Sequence, residues 1–167
     1  MTELITPRLL LRAWSEEDVD AYARIVADEE VMRYFAGGTL DRDAAWRQIA
    51  LFIGHQALRG YTQAAVVDRA GGRLIGRGGL WRPEGWPALE VGWMLERAAW
   101  GQGLASELGR AARDLAFGTL GADHLVSLIH PGNERSVRVA EAIGATYEGE
   151  TTIAGLPRLI YGQGRET

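Results

Sequence analysis

Two stretches hold the residues whose types and spacing could do chemistry. The first is Glu90-Val-Gly-Trp93-Met94-Leu95, followed after four residues by Trp100-Gly101-Gln102-Gly103-Leu104-Ala105. The second, about thirty residues on, is His130-Pro-Gly-Asn133-Glu-Arg-Ser136. In each, an apolar strand pattern gives way to a turn that opens a helix. The small residues of Gly101-Gln102-Gly103 let backbone amides approach a ligand closely. The first-turn amides of a helix have no partners within it, and its dipole favours an anion there. A phosphate group is the expected ligand, although Gly-x-Gly also opens helices that bind nothing. Asn133 is a good N-cap, and Ser136 follows one turn later. If both helices start from strands of one sheet, their polar ends face a common cleft.

Two other phosphate-binding loops fail. A Walker loop needs Gly-Lys-Ser/Thr, and the chain has no lysine. A Rossmann fingerprint needs Gly-x-Gly-x-x-Gly/Ala, whereas Gly101-Gln-Gly103-Leu-Ala-Ser106 ends in serine. The absence of lysine also excludes a Schiff-base enzyme. The absence of cysteine excludes disulfides, thiol nucleophiles and Cys-ligated metals. Three histidines, His55, His124 and His130, argue against a His-rich metal site. A net charge of −4 and a pI near 5.4 disfavour nucleic-acid binding through a basic surface. No apolar run is long enough to span a membrane, and the first residues lack a signal-peptide layout, so a cytoplasmic protein is expected.

The elements that must position these residues follow from periodicity. Ile5 to Trp14 reads as a strand, with Leu9 and Leu11 on one face and Leu10 and Arg12 on the other. Ser15-Glu-Glu-Asp18 opens a helix running to about Ala27. A second helix covers Asp41 to Leu58, with Trp46, Ile49 and Ile53 repeating at helical spacing. Between them, Asp28 to Leu40 reads as a short helix and a loop, either a plain connector or a lid over a substrate. Strands follow at Tyr61–Asp68, Arg73–Trp81 and Ala88–Leu95, the first two joined through Ala70-Gly71-Gly72. Then come a helix at Gly101–Phe117, a strand at His124–His130, a helix at Asn133–Ile143, and strands at Ala145–Thr151 and Leu156–Gly162. This order predicts one domain over residues 1–167. It would be a mixed α/β fold with a mostly antiparallel sheet of six to seven strands and helices on both faces.

Taken together, these motifs resemble the GNAT superfamily of acyl-CoA-dependent N-acyltransferases, and its RimJ/RimL-like branch in particular. Thr6-Pro-Arg-Leu-Leu-Leu-Arg12, the Asp18 helix, Glu90-Val-Gly-Trp93, Trp100 to Ala105, Asn133-Glu-Arg-Ser136 and Ile143-Gly-Ala-Thr-Tyr-Glu-Gly149 carry the resemblance. It implies a sheet with helices on both faces and acetyl-CoA as co-substrate, with no metal. The amides of Trp100, Gly101, Gln102, Gly103, Leu104 and Ala105 would hold the pyrophosphate. Trp93, Met94 and Leu95 would pair with the pantetheine arm through their backbone, and Asn133 would hydrogen-bond it. Trp100 replaces the family's Gln/Arg. Ala140 stands where many members have a tyrosine acid, and Ser136 matches the serine proposed for members without it.

The acceptor would be a primary amine, such as a protein N-terminus. Alternatives are a small-molecule amine (amino acid, polyamine or antibiotic) or a non-catalytic acyl-CoA-binding module. The chain would act as a monomer or homodimer. An alkylamine has a pKa of about 10.4 and must be neutral to attack a thioester. Glu90 is the candidate base; without that role it would be an edge-strand carboxylate or an arginine's partner. Backbone amides near Leu95 would polarise the carbonyl. Trp81, Trp86 and Trp93 are candidates to line an acceptor pocket, with the loops 28–40 and 82–87 setting its specificity.

Overall fold

The computed structural model describes residues 3–165. Thr6 and Pro7 break the first stretch in two. The Thr6 hydroxyl accepts from the Leu9 amide at 2.9 Å, and the turn folds β1 (Leu4–Ile5) back onto β2 (Leu9–Arg12). This turn makes eight strands rather than the six to seven expected. The remaining strands are β3 (Gln63–Asp68), β4 (Arg73–Trp81), β5 (Glu90–Leu95), β6 (His124–Ile129), β7 (Thr146–Ile153) and β8 (Leu156–Gly164). Their order in the sheet is β1-β2-β3-β4-β5-β6-β8-β7, and every pair is antiparallel except β5–β6.

Strand alternation assigns each face its core. From β2, Leu9 and Leu11 join Ala64, Val66, Ile75 and Leu95 beneath helix α4 (Leu104–Asp114). Leu10 turns to the opposite face, where Trp14, Ala65, Val67 and Met94 meet α1 (Val19–Val26), α2 (Glu29–Met32) and α3 (Arg42–Arg59). Helix α5 (Glu134–Ala142) packs beside α4, burying Ala140 against Ile129 and Ala145. Glycine lets α4 sit low on the sheet: a Cβ at Gly78 would stand 2.6 Å from a Leu108 methyl.

The helix starts have local causes. The Ser15 amide donates to Asp18, whose carboxylate also takes a bidentate fork from Arg12 at 2.7 Å for both bonds. That first turn is 3-10 and α1 proper begins at Val19. Asp28 caps α2 and Asp41 caps α3. The buried stripe of α3 is Ala45, Ile49, Phe52 and His55; Trp46 and Ile53 lie 46% and 48% exposed, contrary to the stripe expected from their spacing. The spacing of Trp46, Ile49 and Ile53 fits a helical repeat, but only Ile49 falls on the side that the sheet covers.

The decisive irregularity lies between β5 and β6. These parallel strands share a single register pair, Glu90 with Val126, fastened by the Val126 amide on the Leu89 carbonyl and the Ser127 hydroxyl on the Val91 carbonyl. Beyond Val91 they diverge. On that side the backbone of Trp93 to Leu95 has no ladder partner among the described residues, while on the other side it pairs with β4 from Gly76 to Gly78.

Candidate active site

Gly101 and Gly103 both adopt left-handed backbone, φ +73° and +75°, which explains why these positions are glycine. Helix α4 begins only at Leu104, so Gly101 to Gly103 form the loop before it rather than its first turn. Arg8 braces that loop. Its Nη1 donates to the Gln102 carbonyl at 2.8 Å and its Nε to Glu107 on α4 at 2.7 Å, while the Thr6 hydroxyl also donates to Glu107. The function of Thr6-Pro-Arg8 is thereby partly architectural: it ties the first turn of the chain to the glycine loop.

A cleft of about 380 Å³ runs along the open side of β5. Trp93, Met94, Leu95, Trp100, Gly101, Gly103, Leu104, Ala105, Asn133 and Ser136 all line it. Gln102 does not: its side chain turns back to the Ala98 carbonyl. The Trp100 indole donates to the Leu95 carbonyl at 2.8 Å, and the Arg135 guanidinium lies over its ring at 3.8 Å. A cation thus stands at the glycine loop although Trp100 replaces the family's Gln/Arg. Arg135 was not singled out from sequence, although a basic residue in the first turn of a helix facing an expected phosphate is a usable signal. The open glycine turn, the unpaired strand edge and the nearby cation together fit an extended ligand with an anionic end.

A second cavity of about 330 Å³ opens beyond Trp93. Tyr34, Phe35, Trp93, Asn133 and Ser136 line both spaces, so the cavities meet at the start of α5. The Asn133 side-chain oxygen accepts from the Ser136 amide at 3.2 Å, the expected N-cap, leaving its NH2 free to donate. Trp93 Nε1 donates to the Ser136 hydroxyl oxygen at 3.3 Å. That oxygen is therefore an acceptor toward Trp93, and its own hydrogen remains available to another group. Ser136 is half-buried.

Glu90 lines the second cavity only. It lies in the interior of the sheet, not at an edge, and no arginine pairs with it within 4.0 Å among the described residues. Trp86 Nε1 donates to its carboxylate at 2.7 Å. Burial pushes the Glu90 carboxyl up from the ordinary 4.5 to about 7, against the opposing pull of the Trp86 bond, of Arg77 and Arg158, and of the Leu128 amide. A carboxyl with this affinity takes and returns protons near neutral pH. Trp81, Trp86 and Trp93 all line the same cavity, and so do Met32 at the end of α2 and Tyr34, Phe35, Ala36 and Leu40 of the loop that follows it. His130 reaches it, its ring against Tyr34, whereas His124 bonds Glu148 away from it. Among the described residues no cluster of His, Asp and Glu could hold a metal ion, and no helix is long and apolar enough to cross a membrane.

A mixed sheet split beside a glycine loop, with a cleft leading into a proton-accepting cavity, defines an acyl-transfer architecture. The sequence model of the Acetyltransferase (GNAT) domain matches residues 8–146, and the chain belongs to that family of acyl-CoA-dependent N-acetyltransferases, whose co-substrate is acetyl-CoA. The uncharacterized protein YkkB of Bacillus subtilis is 31% identical over 96% of this chain and 94% of its own length. The crystal structure of an acetyltransferase from Agrobacterium tumefaciens superposes with a TM-score of 0.87 at 30% identity, covering 99% of this chain and 95% of that one. Two more distant structures share the fold. A ribosomal-protein alanine acetyltransferase from Vibrio fischeri has a TM-score of 0.80 at 15% identity, covering 98% and 97% of the two chains. An aminoglycoside acetyltransferase in complex with coenzyme A has a TM-score of 0.78 at 19% identity, covering 94% and 95%.

Proposed function

We propose that the protein transfers the acetyl group of acetyl-CoA directly to a primary amine within one ternary complex. The observation that carries this reading is the meeting of the two cavities at Trp93, Asn133 and Ser136, with Glu90 on the side away from the glycine loop. The glycine loop amides and Arg135 would hold the pyrophosphate. The backbone edge of Trp93 to Leu95, which no strand covers among the described residues, and the Asn133 amide group would align the pantetheine arm. The co-substrate supplies the thioester carbonyl. Glu90, ionised above about pH 7, accepts the proton that the amine must lose, directly or through water. As the C–N bond forms and the C–S bond breaks, the Ser136 hydroxyl donates to the departing sulfur. Trp93 holds the hydroxyl oxygen so that its hydrogen points elsewhere. With no cysteine in the chain, no thiol can carry the acetyl group between the two substrates.

The two distant structures act, by their titles, on a ribosomal protein and on aminoglycosides, so the fold by itself leaves the acceptor open. Thiol release from acetyl-CoA across a panel of primary amines tests the reading. Amine-dependent release that is lost in Glu90→Gln supports it. A protein that binds acetyl-CoA but releases thiol with no amine is an acyl-CoA-binding module instead.

A further inference from the structure

The cavity beyond Trp93 holds more positive charge than its carboxylate can balance. Its ionisable lining comprises Arg77, Arg158, Glu90 and His130. Arg77 projects from β4 between the rings of Phe35 and Phe52, 5.2 and 5.4 Å from their centres. Its Nε donates to the Tyr22 hydroxyl and its Nη1 to Gln63, and both of these acceptors are neutral. Arg158, on β8, is buried with 8% exposure; its Nη1 and Nη2 donate to the carbonyls of Pro157 and Tyr34. Among the described residues neither guanidinium has a carboxylate within 4.0 Å, and Nη2 of Arg77 and Nε of Arg158 have no protein acceptor. Buried or half-buried arginines are ordinarily paired. Two guanidinium groups thus face a single carboxyl in this cavity.

Resting on the acetyl-transfer reading, we propose that the acceptor is a primary amine that also carries a carboxylate, with an apolar or aromatic body: an apolar amino acid. The carboxylate pairs with Arg77 and Arg158. The body lies among Met32, Leu51, Trp81, Trp86 and Ile153, and the amine is presented toward Glu90 and the Trp93–Ser136 junction. A cavity of about 330 Å³ suits a molecule of that size. Polycationic amines meet two charges of their own sign against a single carboxyl, and a peptide N-terminus brings no carboxylate of its own next to the amine.

The test compares apolar amino acids with their carboxamides, Phe with phenylalaninamide and Leu with leucinamide, beside spermidine, by thiol release. A carboxylate bonded to an arginine predicts an advantage of at least about tenfold in kcat/KM for each acid over its amide. Arg158→Gln and Arg77→Gln should each shrink that acid-to-amide ratio about fivefold or more. The ratio is read within one variant, so it is insensitive to a general loss of active protein. Arg158→Lys, which keeps the charge but not the fork, should retain part of it. A binding arm needs no turnover: 3-phenylpropanoate, an acid without an amine, should raise the melting temperature, and its amide should not. Equal release from acids and amides, or preference for spermidine, overturns the carboxylate while leaving acetyl transfer standing. Release from no member of the panel, with 3-phenylpropanoate still stabilising, overturns the apolar amino acid as acceptor, keeps the anion site and leaves acetyl transfer to the wider panel of primary amines. No release and no stabilisation overturn both.

Discussion

The cleft along β5 and the cavity beyond Trp93 share one wall and are built on opposite plans. The cleft draws mostly on one run of chain, Trp93 to Ser106, completed by the first turns of α5 and by Glu30, Val31, Tyr34 and Phe35 from α2 and the loop after it. Its chemistry is backbone chemistry: a glycine loop, a helix start and an unpaired strand edge. The cavity takes Met32 to Leu40, Gln48 to Phe52, Gln63, Arg77, Trp81 to Trp93, Ser127 to Ser136 and Ile153 to Arg158 from across the sheet. Its chemistry is side-chain chemistry, set by which groups converge and by what burial does to them. A fixed co-substrate suits a site made of backbone, because amides and glycines do the same work in many sequences. A variable acceptor suits a site made of side chains, where one substitution changes charge without disturbing the sheet.

The contrast predicts effects that separate by site, and the largest falls on the cavity. Glu90→Gln keeps the shape and removes the base, so kcat at neutral pH should fall by about 10²–10⁴-fold. In the wild type, kcat/KM should rise with pH through about 7 as Glu90 ionises, and the variant should lack that inflection. The loss should shrink at high pH, where more amine is already neutral. The same group has a stability signature. Its folded affinity is raised, so the native state holds the extra proton between pH 4.5 and about 7, and stability falls as pH rises through that window. Chemical denaturation across pH should show this slope in the wild type and a flatter one in Glu90→Gln. A pH-independent rate defect would instead mark Glu90 as orienting the acceptor.

Gly103→Glu strikes the cleft. It forces a side chain into left-handed backbone and adds negative charge where phosphate is expected. Acetyl-CoA at about 100 times its Kd stabilises the fold by roughly 2.7 kcal/mol, or roughly 5–11 °C of melting temperature for a domain of this size. That shift should vanish in Gly103→Glu and persist in Glu90→Gln. A retained shift in Gly103→Glu would break the comparison at its backbone half.

Ser136→Ala lies where the two spaces meet. Losing a hydrogen bond to a developing thiolate should lower kcat by about tenfold or more, with little change in acetyl-CoA Kd. A kcat within about twofold of wild type would leave Ser136 as a residue of the helix turn alone. The smallest effect belongs to Arg8→Ala. Arg8 is half-exposed and holds the glycine loop from outside through Gln102 and Glu107. Its loss should raise the acetyl-CoA Kd about fivefold, the worth of one partly screened charge-assisted bond, and leave kcat nearly unchanged. A matching fall in kcat would show that the loop also sets the geometry of the acetyl group.

Most of the cleft was legible in the chain itself. Gly101 and Gly103 mark a turn that opens a helix, Asn133 announces a helix cap, and alternation in Leu9 to Arg12 predicts which residues face which side of the sheet. These signals act over a few residues, so local order is enough to read them. The family's motifs are likewise local: they named ten of the residues that line the cleft, missed Arg135, Arg138 and the wall formed by Glu30, Val31, Tyr34 and Phe35, and also named Gln102, whose side chain turns away. The extra strand was hidden because nothing in Leu4 to Arg12 says that the turn at Thr6-Pro7 will fold back into pairing instead of ending the strand.

The cavity was a matter for the tertiary structure. Glu90 could be named as a candidate from its place before Gly92-Trp93, but its raised proton affinity comes from burial, which outweighs the opposing bond from a tryptophan four residues upstream folded back onto it. Arg77 and Arg158 are 81 residues apart (158 − 77) and look like any two surface arginines until β4 and β8 bring them to one space. The stripe of α3 shows the same dependence: Trp46 and Ile53 fit the helical spacing, yet the sheet covers Ala45, Ile49, Phe52 and His55 instead. Backbone conformation is decided mainly by each residue and its near neighbours. Desolvation and the pairing of charges are decided by what the rest of the fold places within a few ångströms, and no local pattern carries that information.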